Sequence, residues 1–532
     1  MNNEPNLIEI IPGGGLNLID STGTLFKMPG YATVLKNFES SERGGYRRIN
    51  GYTMFGDTLV NGYDNELLGV YPYADGIVAC ISTDVYFSTD GTTWTQVNTD
   101  TWNSGNGQSD PSAHATLSRA GQSRNYFVVY EGDTDYGDLI MCDGVNEMAL
   151  LRIEGSGGGR TYAYREVTSV EGAPAAPAWA EVYKDHVILG GDVTFPQNVY
   201  WSDAFTTDSF TGGTAGSIEL TDKITGIKSW RDRLFIFSQH SINEVIDING
   251  TVSVNNVTRN VGCINGFSIQ EAAGDVLYLS IDGIRTLAGT DKIDDLELGN
   301  ISRNVDPILK TIVNDIANLN ISSITIRSKN QYRLYYTKSS NDADLQKGII
   351  GTLIQSQEGL RWEWSEVFGI PVACASSAVV ANVEKIYHGG FDGYVYQHDI
   401  GNDYNSSNIK AYYQTPEINY GNIGFKKTLY WMRLSLYLEG AFSEVYLDNN
   451  YDFSSSLTHQ PPNQLLSNTV NIATYGTAVY GTDVYGAPAS SDIRINLNGS
   501  GYSNSFQFFS QNTIAPYTIQ TMFIKYHEGK LQ

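Results

Sequence analysis

The sequence is short of basic residues. It contains 34 lysines and arginines against 58 aspartates and glutamates, a formal charge of −24, although only 17% of its 532 residues are charged. Proteins that bind the phosphates of DNA or RNA without sequence preference carry clustered lysine and arginine on a basic face. The composition therefore excludes a domain that holds nucleic acid through phosphate contacts.

Cysteine and long apolar runs are also scarce. The first five residues contain neither the basic nor the apolar region of a secretory signal, and no run of about 18 apolar residues follows. We therefore expect synthesis in a cytoplasm, with no membrane span. The four cysteines are dispersed, without metal-ligand or redox spacing, and we expect buried free thiols rather than a disulfide framework. They are Cys80, Cys142, Cys263 and Cys374.

Helical patterns are nearly absent, whereas glycine and tyrosine are plentiful, with 54 and 35 residues. Short apolar and aromatic runs alternate with clusters of Gly, Asp, Asn and Ser, which is typical of strands joined by tight turns. Asp-Gly pairs between such runs predict hairpins with type I′ turns, in which both central residues need positive φ. The five pairs are Asp75-Gly76, Asp90-Gly91, Asp143-Gly144, Asp282-Gly283 and Asp392-Gly393.

Two segments repeat one another, since residues 85–95 are echoed by residues 199–211. The first resembles the Asp-box, a hairpin turn of β-propeller blades that marks a fold and has no catalytic content. In this motif Ser88 and Asp90 would bond turn amides, with Gly91 in the turn and Trp94 packed beneath. At about 40–50 residues per blade, residues 55–404 would hold six or seven blades. The sequence therefore predicts an all-β fold with a divergent β-propeller at its centre.

Three further segments complete the expected architecture. Apolar residues recur at three- and four-residue steps over residues 305–319, which predicts one helix bracing a sheet. Residues 1–54 are expected to form an N-terminal segment for assembly or docking. Residues 405–532 are expected to form a C-terminal β domain, because the alternation over residues 430–439 is typical of a half-buried strand.

Two clusters are candidates for contacts between subunits. Arg43, Arg47 and Arg48 form the densest basic cluster of the chain, and they would pair either with an acidic neighbouring subunit or within the chain. Tyr-Gly pairs recur every five residues in an expected exposed loop, at Tyr475, Tyr480 and Tyr485. Contact with another protein surface and an ordered loop within the chain are equally open for these tyrosines.

No catalytic motif, phosphate-binding loop or metal-ligand spacing occurs in the sequence. We interpret His388 and His398 as strand-edge histidines, and the acidic residues 131–138 as a surface turn rather than a calcium loop. A glycan-hydrolysing propeller would use arginines placed one per blade, and the six candidate arginines are not placed in this way. They are Arg152, Arg160, Arg165, Arg231, Arg233 and Arg285. These observations predict no enzymatic activity, no cofactor and no metal.

Several stretches resemble the tail hub and nozzle proteins of short-tailed bacteriophages. They are residues 45–52, 222–237, 262–284, the Tyr-Gly pairs and residues 515–520. The resemblance covers most of the chain. It implies a virion protein of the phage tail with a propeller on each subunit, six copies forming a ring beneath the portal and its head-side adaptor. Its further partners would be tail fibres, spikes or a needle.

The same resemblance implies that the ring surrounds the path of genome ejection during host cell entry. Six acidic copies would repel duplex DNA, so DNA would pass through the channel without specific binding. A gain in solubility is the alternative explanation of the charge. The alternative function is that of a tail-borne propeller enzyme or lectin acting on host-surface glycan.

Overall fold

The computed structural model describes residues 5–62, 65–99, 119–132, 134–246, 248, 252–292, 300–340, 342, 345–356, 359–380, 382–440, 442–469 and 490–529. Antiparallel strands dominate it, arranged as a β-propeller of six four-stranded blades with further sheets from the N- and C-terminal segments. The all-β propeller predicted from the sequence is therefore confirmed. The four cysteines are free and buried, as expected.

The N-terminal segment contributes short strands and one short helix. These are β1 (Asn6–Ile10), α1 (Thr22–Leu25), β2 (Val34–Lys36), β3 (Phe38–Ser40), β4 (Tyr46–Arg48) and β5 (Tyr52–Met54). They belong to three different sheets, so this segment ties other parts of the chain together.

The first four blades follow one another as antiparallel meanders. Blade 1 comprises β6 (Leu67–Tyr73), β7 (Gly76–Ile81), β8 (Asp84–Ser88) and β9 (Thr95–Gln96). Blade 2 comprises β10 (Tyr126–Tyr130), β11 (Asp138–Cys142), β12 (Met148–Glu154) and β13 (Thr161–Val167). Blade 3 comprises β14 (Trp179–Tyr183), β15 (His186–Gly190), β16 (Asn198–Trp201) and β17 (Gly216–Glu219). Blade 4 comprises β18 (Ile224–Trp230), β19 (Arg233–Ser238), β20 (Ile242–Ile246) and β21 (Ser253–Thr258).

A three-stranded sheet separates blade 4 from blade 5 in the ring. It comprises β22 (Gln270–Ala272), β23 (Asp275–Ser280) and β24 (Gly283–Thr286). Blade 5 comprises β25 (Asn320–Ile326), β26 (Gln331–Thr337), β27 (Gln346–Ser356) and β28 (Gly359–Phe368). Blade 6 comprises β29 (Cys374–Val380), β30 (Val383–Gly389) and β31 (Val395–His398), with β5 from the N-terminal segment as its outer strand.

Apolar side chains between neighbouring sheets close the ring. Cys80 of blade 1 packs in one cluster with Met141 of blade 2. Similar clusters join each blade to the next, and the last of them places Cys374 and Val395 of blade 6 against Leu67 of blade 1. Because each blade buries both faces against its neighbours, short strands with little polar alternation are stable here.

The helix expected over residues 305–319 is confirmed as a brace. Two helices follow β24, namely α2 (Leu287–Lys292) and α3 (Asp306–Asn314). Pro307 lies in the first turn of α3, where its missing N–H is tolerated. Leu309 and Ile312 of α3 are buried in the same core cluster as Ile284 and Ile321, so the helix packs between the three-stranded sheet and blade 5.

The C-terminal segment forms eight more strands. These are β32 (Ile409–Gln414), β33 (Lys427–Leu438), β34 (Phe442–Tyr451), β35 (Gln464–Thr469), β36 (Ser490–Asn496), β37 (Ser500–Gly501), β38 (Asn504–Asn512) and β39 (Tyr517–Glu528). The half-buried strand expected over residues 430–439 is confirmed in β33, where Met432, Leu434, Leu436 and Leu438 are buried.

N-terminal strands are interleaved with blade 5 and with the C-terminal strands. β2 lies between β28 and β32 in a nine-stranded sheet of order β25-β26-β27-β28-β2-β32-β38-β34-β35. β4 lies beside β39 in a second sheet of order β3-β4-β39-β33-β36, to which β1 and β37 are attached. The two sheets share one apolar core. Continuous strand pairing thus joins the segments, and the boundaries at residues 54 and 404 stay predictions.

All five Asp-Gly pairs lie between paired strands, so the predicted hairpins are confirmed, but the predicted turn type is wrong. None of the five aspartates has a positive φ. The Asp143 side chain shows the reason, because its Oδ1 accepts the Val145 and Asn146 amides at 2.9 and 2.7 Å and so favours an Asx turn. Two successive positive φ angles occur instead at Lys184-Asp185 and Arg231-Asp232. None of the helices in the described residues is long and apolar enough to span a membrane.

Candidate functional site

The innermost strands of the propeller enclose a cavity of about 210 Å³ at its centre. Blades 1, 2, 4, 5 and 6 and the three-stranded sheet all contribute to its lining. A wider pocket of about 670 Å³ shares Tyr71, Arg327 and Ser377 with the cavity and lies between blades 1, 2 and 6. Cavity and pocket are therefore continuous, and the pocket forms the mouth of the cavity.

Aromatic rings form one wall of the cavity. Tyr126 and Phe267 line the cavity, and each packs edge-on against Trp179, which does not itself line it, with ring centroids 5.4 and 5.1 Å apart. Tyr71 stacks on Phe127 with centroids 5.4 Å apart. Edge-to-face and offset-stacked packing fixes the orientation of such rings. The wall therefore presents a rigid apolar surface with phenol hydroxyls at its margin.

One partly buried ion pair crosses from blade 4 to blade 3. Lys228 Nζ donates a hydrogen bond to Glu181 Oε2 at 2.9 Å. Burial lowers the pKa of Lys228, but the Glu181 carboxylate outweighs it and the net pKa is raised. Burial also raises the pKa of Tyr126 to about 12, so at neutral pH this phenol is protonated and able to donate a hydrogen bond.

Arg124 also lines the cavity, and its guanidinium has no carboxylate partner within 4.0 Å in the described part of the chain. The guanidinium lies over the Phe267 ring, 4.1 Å from the centroid, and donates from Nη1 to the Ile321 carbonyl. Its Nε is buried and has no hydrogen-bond partner in the part of the chain that the structure describes. Burial lowers the pKa of Arg124 to about 10, so the group remains charged at neutral pH.

Glu66 is the carboxylate that acts on Arg124 from a distance, and it has a partner of its own. Its Oε1 accepts a hydrogen bond from Asn320 Nδ2 at 2.9 Å. Two further polar atoms around the cavity, Asn125 Oδ1 and Ser376 Oγ, are buried without partners among the described residues. The cavity therefore combines a rigid aromatic wall, the lysine of one ion pair and the unpaired cation of Arg124, with the exposed Arg327 and Glu271 also in its lining, and this arrangement can bind a small anionic molecule.

The six arginines that are candidates for a glycan-hydrolysing site do not line this cavity. Five of them form ion pairs elsewhere: Arg152 with Asp138, Arg160 with Asp75, Arg165 with Glu171 and Asp208, Arg233 with Glu244, and Arg285 with Asp282. Arg231 donates to the Gly274 carbonyl at 3.0 Å and lies over the Trp230 ring. Hydrogen bonds within and between blades account for these residues.

The residues in and beside the cavity are not among those predicted from the sequence. Lys228 and Glu181 each interrupt a short apolar strand, in β18 and β14, and that pattern is a signal that could have found them. Arg124 lies before β10 in a polar stretch, so nothing in its neighbourhood distinguishes it. It reaches the aromatic wall only because the ring closes.

Two of the three clustered N-terminal arginines make contacts within the chain. Arg47 forms ion pairs with Glu39 at 2.7 Å and Glu439 at 2.5 Å. Arg48 is wholly buried and donates to Asn512 Oδ1 at 2.8 Å and to backbone carbonyls. Arg43 is exposed and lies over the Tyr437 ring, 4.4 Å from its centroid. Arg43 is the member left with an exposed side chain, and the inter-subunit role of the cluster stays a prediction.

Tyr475, Tyr480 and Tyr485 lie outside the described residues, so their inter-subunit role also stays a prediction. The propeller turn motif lies between β8 and β9. Ser88 Oγ accepts the Gly91 amide at 2.9 Å, and Asp90 Oδ1 accepts the Thr92 amide at 2.9 Å. Trp94 packs against Phe55 and donates to the Thr58 carbonyl. The motif thus orders the turn after β8, which is the third strand of blade 1.

The interpretation of His388 and His398 as strand-edge residues is wrong, because both are buried inside blade 6 and contact each other. In the acidic turn, Asp135 Oδ2 accepts the Gly155 amide at 2.9 Å and Asp138 pairs with Arg152, so these two carboxylates already have partners. Among the described residues no group of three or more His, Cys, Asp or Glu side chains is arranged to hold a metal.

Comparison with known proteins yields only distant structural likeness. No family model and no curated protein matches the chain. It is similar to the extracellular domain of a putative one-component system from B. thetaiotaomicron at 11% identity and a TM-score of 0.36, covering 71% of this chain and 43% of that one. It is also similar to an exo-β-1,3-galactanase from Phanerochaete chrysosporium at 11% identity and a TM-score of 0.25, covering 90% and 100%. An ancestral GH74 enzyme gives 10% identity and a TM-score of 0.35, covering 74% and 53%.

These comparisons correct one expectation. The prediction that the chain is not an enzyme is contradicted, because two of these propeller neighbours are glycoside hydrolases. Enzymatic activity is therefore no longer excluded. No reaction is assigned, because TM-scores below 0.5 carry no argument about function. This chain spans less than half the length of the first neighbour and about half that of the GH74 enzyme. At this level of likeness the comparisons place the chain in no family.

Proposed function

We propose that the chain is a structural protein of a short phage tail. It would form a hub or nozzle ring of six copies that joins the head-side adaptor to distal tail parts and surrounds the path of genome ejection. The observation that carries the proposal is the interleaving of β2 between β28 of the propeller and β32 of the C-terminal sheet. Continuous backbone pairing of this kind would carry force between the propeller and the C-terminal sheet, which suits a part that joins two neighbours.

A buried ionic cluster at the same junction supports this proposal. Glu39 beside β4 accepts from Arg47, Lys329 and Arg333 at 2.7, 3.0 and 3.0 Å. Lys329 and Arg333 also pair with Asp399, which follows the last strand of blade 6. The cluster therefore fixes the N-terminal segment, blade 5 and blade 6 relative to one another.

The distribution of charge agrees with a ring through which DNA passes freely. Lys228, Arg333 and Arg47 are examples of basic side chains that a carboxylate neutralises, and the whole chain carries 58 acidic residues against 34 lysines and arginines. Basic side chains held in this way make poor phosphate contacts, and the excess of acidic residues repels the DNA backbone.

Native mass spectrometry and negative-stain imaging test the ring. We expect a closed ring, with the protein alone or with its head-side adaptor. A monomer at every concentration, with and without the adaptor, would overturn the proposal. Retention of duplex DNA by the ring in an electrophoretic assay at about 50 mM salt would refute free passage while leaving the ring intact.

A second candidate is the action of the propeller on host-surface glycan, either as a lectin or as an enzyme. The aromatic wall and the unpaired Arg124 of the central cavity favour it, because ligand sites combine apolar surfaces with a few convergent polar groups. Incubation with host polysaccharide tests it. Bound or released sugar that is lost when the cavity is blocked is expected, and neither binding nor release would refute it.

A further inference from the structure

We propose that the central cavity of the propeller binds a sugar that bears a carboxylate, and that Arg124 is the residue that recognises this carboxylate. The inference rests on the second candidate function, the action on glycan, and names the class of sugar. It does not depend on assembly of the ring, because each propeller encloses its own cavity.

The positive charge of Arg124 is uncompensated. A buried guanidinium is costly unless a carboxylate or several acceptors neutralise it. Here a single carbonyl, that of Ile321, accepts one N–H, and the Phe267 ring covers one face. The chain carries 58 acidic residues, yet none forms an ion pair with this cation in the described part of the molecule.

The shape of the Arg124 guanidinium indicates which group would accept hydrogen bonds from its free donors. Arginine presents its N–H donors as a planar fork that matches the two oxygens of a carboxylate. Nη2 of Arg124 makes no hydrogen bond to the described residues, and Nη1 uses only one of its two N–H groups, for the Ile321 carbonyl. A carboxylate that faces the two Nη atoms would accept from both and neutralise the charge in one contact.

The remaining lining of the cavity and its volume suit a sugar. The Tyr126 and Phe267 rings offer rigid faces to C–H groups, and Lys228 offers a donor to hydroxyl groups. The cavity of about 210 Å³ has room for one sugar ring, and the pocket of about 670 Å³ at its mouth has room for the chain attached to it.

Isothermal titration calorimetry with free monosaccharides tests the inference. The probes are sodium glucuronate, galacturonate and N-acetylneuraminate, compared with glucose, galactose and sodium acetate. We expect at least one acidic sugar to bind and to raise Tm, with its neutral counterpart and acetate at least tenfold weaker. Equal binding of acidic and neutral sugars would overturn carboxylate recognition and leave glycan binding intact. No binding of any sugar would overturn both.

Variants of Arg124 separate recognition from folding. R124M keeps an apolar chain over Phe267 and removes the unpaired charge, so we expect loss of the preference for acidic sugars without a fall in Tm of the free protein. R124K keeps the charge but not the fork, and its affinity should lie between the two. R259M alters an exposed arginine outside the cavity and serves as the control. Unchanged affinity for acidic sugars in R124M or R124K would overturn the role of Arg124.

Discussion

The Nδ1 atom of His398 lies 3.3 Å from the Nδ1 atom of His388, and both rings are buried in blade 6. Tyr335 Oη and Arg333 Nη1 approach Nε2 of His398 at 2.7 and 3.1 Å. Because arginine only donates hydrogen bonds, Nε2 of His398 is an acceptor, and the proton of His398 lies on Nδ1. His398 therefore donates to His388, which carries its own proton on a buried Nε2 that has no partner among the described residues.

This pair makes the protein sensitive to acid. Burial lowers the pKa of His388 to about 3, and burial, His388 and Arg333 lower that of His398. Below pH 6.5 the unfolded chain binds protons that the folded chain refuses, so stability is lost as pH falls. We expect the free energy of unfolding to drop by about 1.4 kcal/mol per pH unit for each histidine between pH 6 and 4. Urea unfolding across this range measures the slope.

A substitution assigns the slope to the pair. H388F retains a ring against Tyr396 and Tyr52 but cannot titrate, so the slope should fall by the share of one histidine. H240Q changes an exposed histidine and should leave the slope as it is. A slope in H388F equal to that of the unaltered protein would show that other groups carry the acid sensitivity.

Glu39 holds the ionic cluster at the junction of the N-terminal segment with blades 5 and 6. Burial raises the pKa of this carboxyl, but Lys329 and Arg333 outweigh burial and the net pKa is lowered. E39Q would leave Arg333 with Asp399 as its remaining carboxylate. We expect a loss of about 3–5 kcal/mol in the free energy of unfolding, as when one partner of a buried pair is removed. E42Q, at an exposed neighbour, should stay within about 0.5 kcal/mol, and equal effects in the two variants would contradict the prediction.

Arg48 and Arg43 should have different effects when substituted. R48M would leave the Asn512 and Asn402 carbonyls without their donor, and we expect a loss of about 3 kcal/mol in urea unfolding. R43M alters an exposed side chain, so unfolding should be unchanged while ring formation, measured by native mass spectrometry, weakens. A ring that forms equally well with R43M would remove Arg43 from the subunit contact.

The fold class was predictable because its signals are local. Alternation along β33 and the turn clusters between blades each lie within about a dozen residues. The position of β2 was not predictable, because three residues carry no period and their pairing joins Lys36 to Glu366 across the chain. Type I′ turns at Lys184-Asp185 and Arg231-Asp232 carry no glycine, so turn composition pointed elsewhere.

The cavity was not predictable for a related reason. Its lining comes from blades 1, 2, 4, 5 and 6 and from the three-stranded sheet, and the closed ring fixes the distances between these parts. Arg124 and Phe267 lie more than a hundred residues apart, yet their side chains are in contact. Spacing in the sequence can reveal a motif within one blade, such as Ser88 and Asp90, but it cannot reveal a site whose residues come from several blades.

The turn after β8 allows close backbone approach to be separated from backbone strain. Gly91 and Gly62 have nearly equal positive φ angles, 72° and 77°. A Cβ at Gly91 would clash with the Phe55 carbonyl and the Gly56 amide, whereas one at Gly62 would meet none of the described residues within 4 Å. We expect G62A to cost about 1 kcal/mol for strain alone and G91A at least about 2 kcal/mol more, measured by urea unfolding. Because the backbone conformation is matched, equal losses would mean that the blade moves away from the turn at little cost.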